Sequence, residues 1–384
     1  MVKQPPLCYT IPVYRPKAAG PPGGGDARPG PNLYKGDAED LELLKPEQYG
    51  EADAFVSHHR SGSFMQSPAW AKVKPNWKHE IVARRGPDGK LKGTMSILIM
   101  PMGPGALMYA PRGPVCDYDD RDTLADLLAG AGAVAKKYHA HILKMDPYLL
   151  EGDKPHIEAF RSLGCAFTPD AGFKDTIQPR YNYMLPYLEG LTEEGLLAKF
   201  ARETRYYIRY PGKHGVTCRW GDDCLDDFYK VYSETGERQG FNIRPKEYLA
   251  GFLKAFPAHA RMYMCYSEQG APICGGLAVN YAGKTAHVYG CSSDDHELRK
   301  LRATYLLQWE MMKWALSTGC WVYDMQGVAV RPEDSQQLYN VLGFKQNFTG
   351  EIVTTAGEFR IVYNATVNAA MEAALKVRSK LAHR

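Results

Sequence analysis

The sequence predicts an α/β protein of two domains, and three observations lead to this fold class. The chain has 384 residues, about twice the usual domain length of roughly 100–200 residues. Strand and helix patterns alternate through both halves of the chain. Their order recurs in the second half at a nearly constant offset, which indicates an internal repeat.

Composition is that of an ordinary globular protein. Hydrophobic residues make up 45% and charged residues 23%, so wholesale disorder is excluded. The formal net charge of +4 does not by itself indicate nucleic-acid binding, although it permits a local basic face. The longest apolar run, Met95–Met102, is far below the ~20 residues of a membrane-spanning helix, and the first residues lack a secretory signal pattern. We therefore expect a soluble, cytoplasmic protein.

The cysteines and histidines show no metal-binding pattern. The nine cysteines contain no C-x-x-C pair, so neither a disulfide framework nor a zinc ribbon is expected. The eleven histidines contain no H-E-x-x-H motif. Four cysteines lie among apolar neighbours and are interpreted as small buried hydrophobic residues: Cys116, Cys265, Cys274 and Cys291. The sequence thus predicts no metal site.

The first 40 residues are predicted to be an irregular leader. Residues 17–32 are rich in Pro and Gly and show no apolar periodicity. The folded body is expected to begin near Leu41. Beyond it, the patterns of the first half predict a short helix at Asp53–His59, a segment Trp70–Trp77 broken by Pro75, strands at Ile81–Arg85 and Lys92–Met100, a helix at Asp122–His139 and a strand at His141–Met145.

The second half repeats this order. It predicts strands at Ile273–Asn280 and Thr285–Cys291 joined by a turn at Ala282-Gly283, a helix at Thr304–Leu316 ended by a left-handed Gly319, and a strand at Trp321–Asp324. The helix carries an apolar stripe at positions 305, 309, 312 and 316. A further helix over Asn364–Lys380 is expected to pack on the first domain.

Three landmarks recur about 180 positions apart and suggest a duplication. Tyr109 corresponds to Tyr289, Asp146 to Asp324, and Leu163-Gly164 to Leu342-Gly343. The alternative is that any α/β chain shows such spacing by its strand–helix alternation. On the duplication reading, the first domain spans residues 41–180 and is joined by 352–384, and the second spans 181–351.

The repeated unit resembles the GNAT acyltransferase fold, in which a helix and a strand are followed by a Leu-Gly-Phe segment. The resemblance implies twin GNAT-like domains, each a mixed, twisted sheet flanked by helices. GNAT enzymes wrap the CoA pyrophosphate with a [QR]-x-x-G-x-[GA] loop at a helix start. Here Arg302 and Thr304 fill the two glycine positions, and larger residues would keep the backbone away from a diphosphate. This argues for an acyl donor other than acetyl-CoA.

The chain as a whole resembles the Fem (FemABX) family of peptidoglycan bridge aminoacyltransferases. The number, order and spacing of the matching segments carry the resemblance. They are FMQSPAWAKVKPNW (64–77), YAPRGPV (109–115), KMDPY (144–148), TIQPR (176–180), RPKEY (244–248), VYGCSS (288–293), LQWEMMKWAL (307–316), VYDMQGV (322–328) and VLGFKQNF (341–348). No long heptad insertion is present in the second half, so the resemblance is to the shorter members without a coiled-coil arm.

The resemblance implies a function. Such enzymes transfer an amino acid from aminoacyl-tRNA to the amino group of the third stem-peptide residue of UDP-MurNAc-pentapeptide or lipid II. The donor is an activated ester, which agrees with the lack of a Walker motif and of any other cofactor signal. The expected partners are therefore aminoacyl-tRNA and this precursor, with peripheral contact at the inner membrane face, and the expected state is a monomer. The alternatives are a CoA-dependent N-acyltransferase of a small amine and a non-catalytic binding protein of the same fold.

The resemblance places Lys345 at the catalytic centre. By family position it is the lysine that stabilises the negative oxygen formed when an amine attacks an ester, and losing such a donor costs roughly 10²–10³ in rate. The alternative is a solvated lysine after a buried aromatic residue. Phe344 beside it is assigned to the wall of the site.

Four further residues are assigned to the acceptor by the same resemblance: Lys74, Arg244, Tyr248 and Tyr289. Lys74 suits a phosphate as a compact charge, with an ordinary surface lysine as the alternative. Arg244 and Tyr248 are four residues apart, so they can share a helix face, with an ion pair to Glu247 as the alternative for Arg244. For Tyr289 the alternative is a half-buried strand aromatic.

Asp146 ends a strand and precedes Pro147, a position where α/β proteins often place functional groups. It is a candidate to orient or deprotonate the attacking amine. A carboxylate at its usual pKa of about 3.9 is a weak base, so a purely structural aspartate that caps the following turn is the alternative.

A stripe of basic residues is a candidate tRNA contact. Its members recur every three or four positions and would share one helix face: Lys199, Arg202, Arg205 (or Tyr206), Arg209 and Lys213. An ordinary solvated helix face is the alternative. The sequence contains no motif that identifies the transferred amino acid.

Overall fold

The computed structural model describes residues 41–103, 105–168, 176–240 and 242–381. The predicted leader over residues 1–40 lies outside these ranges. The strands are β1 Leu41–Leu43, β2 Lys78–Arg85, β3 Leu91–Met102, β4 Gly105–Ala110, β5 Val115–Cys116, β6 Ala140–Met145, β7 Ala166–Phe167, β8 Tyr181–Pro186, β9 Thr217–Trp220, β10 Ala260–Tyr266, β11 Pro272–Tyr281, β12 Lys284–Ser292, β13 Val322–Gly327, β14 Glu351–Thr354 and β15 Phe359–Val362.

The helices come from both halves of the chain. They are α1 Tyr49–His58, α2 Pro68–Lys72, α3 Arg121–Tyr138, α4 Lys154–Ser162, α5 Glu193–Lys199, α6 Arg202–Lys213, α7 Leu225–Gln239, α8 Lys246–Ala255, α9 His296–Lys300, α10 Ala303–Ser317, α11 Gln336–Lys345 and α12 Ala365–Leu381. Most of the predicted elements are present, and their ends differ from the predicted ones by at most four residues.

The chain folds into two compact units. The first unit contains the described residues up to 178 and from 355 onward, and the second unit contains residues 179–354. The C-terminal helix α12 packs against β6 of the first unit. The first unit is therefore built from two separate stretches of the chain.

Each unit contains one mixed sheet. In the first unit the strand order is β1-β2-β3-β4-β6-β15-β7, with β5 added beside β3. In the second unit the order is β9-β10-β11-β12-β13-β8-β14. Each sheet has one parallel pair at the equivalent position, which is β4 with β6 in the first unit and β12 with β13 in the second. The other pairings along both orders are antiparallel. The equivalent orders confirm the prediction of twin α/β domains with mixed sheets.

The crossover helices show why the sequence folds in this way. In α3, Asp120 caps the first turn by accepting a hydrogen bond from the Thr123 amide at 3.0 Å, and Lys136 and Lys137 lie in the last turn, where a cation favours the helix dipole. In α10 the burial extends well beyond the predicted apolar stripe, because the helix packs on β10, β11 and β12 and is also covered by α6.

Each unit has its own apolar core. In the first unit the core lies between the sheet and α3, and four residues at its centre are completely buried: Met95, Ile97, Leu124 and Leu127. In the second unit α10 and aromatic residues of α11 and the following turn fill the core, including Trp309, Phe344 and Phe348. Of the described cysteines, the four predicted to be buried are 0–1% exposed, which confirms that prediction.

One predicted helix face is not continuous. Lys199 ends α5, and α6 begins at Arg202 after Phe200 and Ala201, which both have extended backbone. Lys199 therefore does not belong to the helix that carries Arg202, Arg209 and Lys213, and the prediction of a single five-residue stripe is wrong on this point. A buried Phe200, 2% exposed, anchors the break in the core.

Candidate functional site

The first unit buries Asp146 at the end of β6. This carboxylate is 2% exposed and accepts two short hydrogen bonds, from the Tyr109 hydroxyl and from the Arg112 amide, both at 2.6 Å. The Tyr109 hydroxyl in turn accepts a hydrogen bond from Gln178 at 3.1 Å. Asp146 thus joins the end of β4 to the loop that follows β4. Its hydrogen bonds do not cap the turn after Pro147, which was the structural alternative for this residue.

The environment of Asp146 changes its acidity. Burial raises the pKa of Asp146 to about 6, against the opposing effects of Arg112 and of the hydroxyl of Tyr109. Arg112 has a left-handed φ of 56°, which aims its amide at the carboxylate. A carboxyl group with a pKa near 6 is a better proton acceptor at neutral pH than an ordinary aspartate.

Three of the residues assigned to the acceptor meet in the second unit. Arg244 precedes α8, and its guanidinium lies over the Tyr248 ring, 5.2 Å from the centroid. The hydroxyl of Tyr289, on β12, donates a hydrogen bond to that of Tyr248 at 3.3 Å. Tyr289 is fully buried rather than half-buried, and its hydroxyl contacts that of Tyr248.

Lys345 ends α11 and points into the protein. Its side chain is 0% exposed, so the alternative of a solvated lysine is wrong. Its ammonium donates hydrogen bonds to the carbonyls of Met325, Gln326 and Gly327 at 2.5, 2.8 and 3.0 Å. These three carbonyls belong to the end of β13, where the register with β8 shifts and Gln326 has a φ of 65°.

The three carbonyls indicate the protonation state of Lys345. Burial lowers the pKa of Lys345 well below its usual value, and the charge of the nearby Asp324 opposes this only in part. A neutral amine has only two N–H groups, whereas an ammonium has three, which matches three carbonyl acceptors. The three acceptors thus favour the ammonium against the opposing effect of burial, and the Lys345 side chain holds the irregular end of β13. Phe344 packs on Tyr305 and Phe348 at ring distances of 5.1 and 5.5 Å, within the apolar core of the second unit.

A buried polar chain that sequence reasoning missed lies near Lys345. The Tyr323 hydroxyl donates to Gln308 Oε1 at 2.7 Å, and Gln308 Nε2 donates to His287 Nδ1 at 3.1 Å, which leaves the His287 proton on Nε2. Burial first, and then the charge of Lys345, lower the pKa of His287 to about 3. The repeat offset drew attention to Tyr289 and Asp324 nearby, but no local motif marks His287.

The remaining predicted residues lie at separate places. Lys74 follows α2, and its ammonium lies over the Trp70 ring, 4.6 Å from the centroid. On α6, Arg202, Arg209 and Lys213 are exposed. Arg205 is half-buried and donates to the carbonyl of Phe200 at 2.6 Å, so it does not share their exposed face.

The segment that corresponds to a CoA loop has an arginine in a glycine-like conformation. Arg302 has a φ of 57° immediately before α10, and its guanidinium lies 5.0 Å from the ring centroid of Tyr207 on α6. The side chain therefore occupies the surface between α6 and the start of α10.

The ranges that the structure describes contain no group of three or more His, Cys, Asp or Glu side chains that could hold a metal ion. None of their helices combines the length and the apolar character that crossing a bilayer requires.

Comparison with known proteins gives consistent matches along the chain. The model of the FemAB family matches residues 47–269 and 265–376. The UDP-N-acetylmuramoylpentapeptide-lysine N(6)-alanyltransferase of Weissella viridescens is 30% identical over 303 residues, which cover 77% of this chain and 88% of that protein. The lipid II:glycine glycyltransferase of Staphylococcus haemolyticus is 27% identical, and the match covers 82% of this chain and 91% of that protein.

Solved structures agree with this fold. The crystal structure of FemX superposes with a TM-score of 0.78 at 23% identity and covers 87% of this chain and 100% of that chain. A tandem GNAT protein from the clavulanic acid biosynthesis pathway superposes with a TM-score of 0.51 at 10% identity and covers 84% of this chain and 98% of that chain. These likenesses show the fold, which is the twin GNAT-like architecture expected from the sequence. With the family model matched over most of the chain, the protein belongs to the FemAB family.

Proposed function

We propose that the protein transfers an aminoacyl group from aminoacyl-tRNA to the amino group of the third stem-peptide residue of a peptidoglycan precursor. The observation that carries this proposal is the match, along more than three quarters of the chain, to relatives named as a UDP-N-acetylmuramoylpentapeptide-lysine alanyltransferase and a lipid II:glycine glycyltransferase. The product would begin or extend the bridge between peptidoglycan strands. The reaction would take place on the cytoplasmic side, where both substrates occur.

The acceptor is UDP-MurNAc-pentapeptide or lipid II, which both carry a diphosphate. Arg244 can offer a planar pair of donors to phosphate oxygens, and the stacked Tyr248 ring limits its motion. The hydrogen bond from Tyr289 fixes the hydroxyl of Tyr248 in turn. In the first unit, Lys74, held over Trp70, carries a positive charge suited to a phosphate.

The reaction is the aminolysis of an ester. The amine nitrogen forms a bond to the ester carbonyl carbon, the carbonyl oxygen becomes negative, and the C–O bond to the tRNA ribose then breaks. A fixed positive charge is more effective in a buried site, because little solvent screens it. As an ammonium, Lys345 is such a charge, although its three N–H groups are already bonded. Its contribution to the oxyanion is therefore electrostatic, or requires one of these bonds to open.

The exposed face of α6 is the proposed contact for tRNA. It combines the cations of Arg202, Arg209 and Lys213 with the exposed ring of Tyr206, which is 54% exposed and lies 5.6 Å from the ring of Tyr210. Cations suit phosphates and aromatic rings suit unpaired bases. The partly exposed tyrosines on this face add support that the charge stripe alone did not give.

Replacing Arg202, Arg209 and Lys213 together by Gln is expected to weaken aminoacyl-tRNA binding about tenfold or more. The steepness of log affinity against log salt is expected to fall by about 2, because each lost phosphate contact lowers that steepness by roughly 0.7–0.9. Filter binding at several salt concentrations measures both quantities. The matched control is the same substitution at three exposed lysines elsewhere, Lys90, Lys136 and Lys254, which removes equal charge. An equal loss of affinity in the control would contradict a contact on α6.

The test of the function is a panel of aminoacylated tRNAs offered with each acceptor, read by product mass. A product heavier by one amino-acid residue is expected with at least one tRNA, and none is expected after RNase treatment of the donor. A parallel reaction contains acetyl-CoA and no tRNA. Transfer from acetyl-CoA without transfer from any aminoacyl-tRNA would overturn the proposal in favour of a CoA-dependent enzyme.

A further inference from the structure

Three cysteines of the second unit lie side by side across its sheet. In the antiparallel pairing of β9 with β10, Cys218 is directly opposite Cys265, and in the pairing of β10 with β11, Cys265 is directly opposite Cys274. In both pairs each thiol affects the pKa of its neighbour, as expected for adjacent side chains. We call these three residues the thiol row.

The thiol row faces α10. Cys265 Sγ lies 3.7 Å from the carbonyl of Ala303, the first residue of that helix, and can donate to it. Cys291, on the next strand, instead points its Sγ to the carbonyl of Phe228 on α7, on the opposite face of the sheet. The row therefore has three members, and proximity in the sheet rather than in sequence brings them together.

Access to the row is from one end. The strand β9 is the edge strand of its sheet, and Cys218 on it is partly exposed. Cys265 and Cys274 are 0% exposed. A small reagent therefore reaches Cys218 first, and Cys265 is the thiol beside it.

The geometry of the pair suits a covalent bond. Residues directly opposite in an antiparallel pair have Cα atoms about 4.5–5.5 Å apart, within the range of about 4.4–6.8 Å that a disulfide spans. Among the described residues, no group of three or more His, Cys, Asp or Glu side chains is placed so that it could hold a metal ion. Oxidation is the chemistry that two neighbouring thiols can undergo together.

We propose that Cys218 and Cys265 form a disulfide when the folded protein meets a small disulfide or an equivalent oxidant. The Cys218 sulfur attacks the small disulfide, forms a mixed disulfide and releases one small thiol. The Cys265 sulfur then attacks the Cys218 sulfur and releases the second small thiol. Two protein thiols and one small disulfide become one protein disulfide and two small thiols, so atoms and electrons balance. The inference does not depend on the proposed transferase function.

The bond would tether the edge strand to the interior of its sheet. β9 follows α6 closely in sequence, with Lys213 and Thr217 as their adjoining ends. Oxidation would thus fix β9, the strand that follows α6. It would also remove the S–H group of Cys265 that faces the carbonyl of Ala303 at the start of α10.

The experiment exposes the folded full-length protein to hydroxyethyl disulfide, quenches with acid, alkylates after unfolding and reads intact mass and linked peptides. The expected product has lost two hydrogen atoms and links the peptides of Cys218 and Cys265. Cys265→Ser is expected to keep one mercaptoethanol on Cys218, and Cys218→Ser to react at least tenfold more slowly. The control Cys320→Ser, at a buried cysteine outside the row, is expected to react like the wild type.

The pH dependence adds a second readout. The contact with Cys265, and then burial, raise the pKa of Cys218, so its thiolate is scarce at neutral pH. The rate is therefore expected to rise about tenfold between pH 8 and 9, whereas a thiol with a pKa of about 8.5 gains only about threefold. A stable mixed disulfide on the wild type, a disulfide between other cysteines, or free Cys218 and Cys265 after a day at pH 9 would each overturn the proposal.

Discussion

Replacing Lys345 by Met is expected to destabilise the second unit and to abolish most transfer. The substitution keeps much of the side-chain volume but leaves three buried carbonyls, those of Met325, Gln326 and Gly327, without their donor. Each buried group left unsatisfied costs about 1–3 kcal/mol, so we expect the free energy of unfolding to fall by about 3–5 kcal/mol. Chemical denaturation followed by circular dichroism measures this loss.

The same variant tests the proposed catalytic role of Lys345. Loss of a buried cation next to the developing oxyanion is expected to reduce kcat by about 100-fold or more in the fraction that is folded. The matched control is Lys254→Met, an exposed lysine in the last turn of α8, for which a change within about 0.5 kcal/mol and unchanged transfer are expected. A folded Lys345→Met protein with transfer within threefold of the wild type would show that the lysine only holds β13.

Asp146 is expected to make the stability of the protein depend on pH. Its pKa is about 6 in the folded state and about 3.9 in an unfolded chain, so the folded protein holds this proton more tightly. The stabilisation is fully present below pH 4 and is lost as the pH rises to 6 and above. A shift of about two units corresponds to about 3 kcal/mol.

The Asp146→Asn variant isolates this contribution. An amide cannot ionise, so the free energy of unfolding of the wild type minus that of the variant is expected to decrease by about 3 kcal/mol between pH 3 and 7. Denaturant titrations at half-unit pH intervals measure it, and the titration of all other groups cancels in the difference. A difference that stays flat, or that increases with pH, would contradict a raised pKa for Asp146.

Tyr109→Phe provides a second test of the same cluster. The hydroxyl of Tyr109 donates to Asp146 and lowers its pKa, so its removal is expected to raise that pKa further. The decrease in stability should then extend to a higher pH than in the wild type.

The transfer assay separates the two roles of Asp146. A rate limb near pH 6 that disappears in Asp146→Asn supports proton transfer, whereas an unchanged pH profile with a lower rate supports positioning of the loop after β4.

Much of the local structure could be predicted from the sequence. The helix predicted at Asp122–His139 is observed at Arg121–Tyr138, because the acidic start, the apolar periodicity and the basic end all lie within the segment itself. The hairpin around Ala282-Gly283 is also observed, with both residues at positive φ. The duplicated architecture was predicted from landmarks that recur about 180 positions apart, such as Tyr109 and Tyr289. Such an offset can be recognised without knowledge of contacts.

The candidate site could be predicted only in part. A resemblance to a family placed Lys345, Arg244 and Tyr248 at functional positions, and the last two do lie together. The burial of Lys345 could not be foreseen from the residues, since a lysine after an aromatic residue is usually solvated. His287 was missed because a single histidine in an apolar strand has no local signature.

The sequence alone determined the fold class, the repeat and the family, because hydrophobic periodicity, turn residues and motif order are properties of neighbouring positions. The tertiary structure alone decided which groups are buried together: three carbonyls around Lys345, a tyrosine hydroxyl and an amide on Asp146, and three thiols across β9, β10 and β11. Strand register and helix packing join residues far apart in the chain. The resulting loss of solvent, and not the residue types themselves, sets the pKa and the reactivity of these groups.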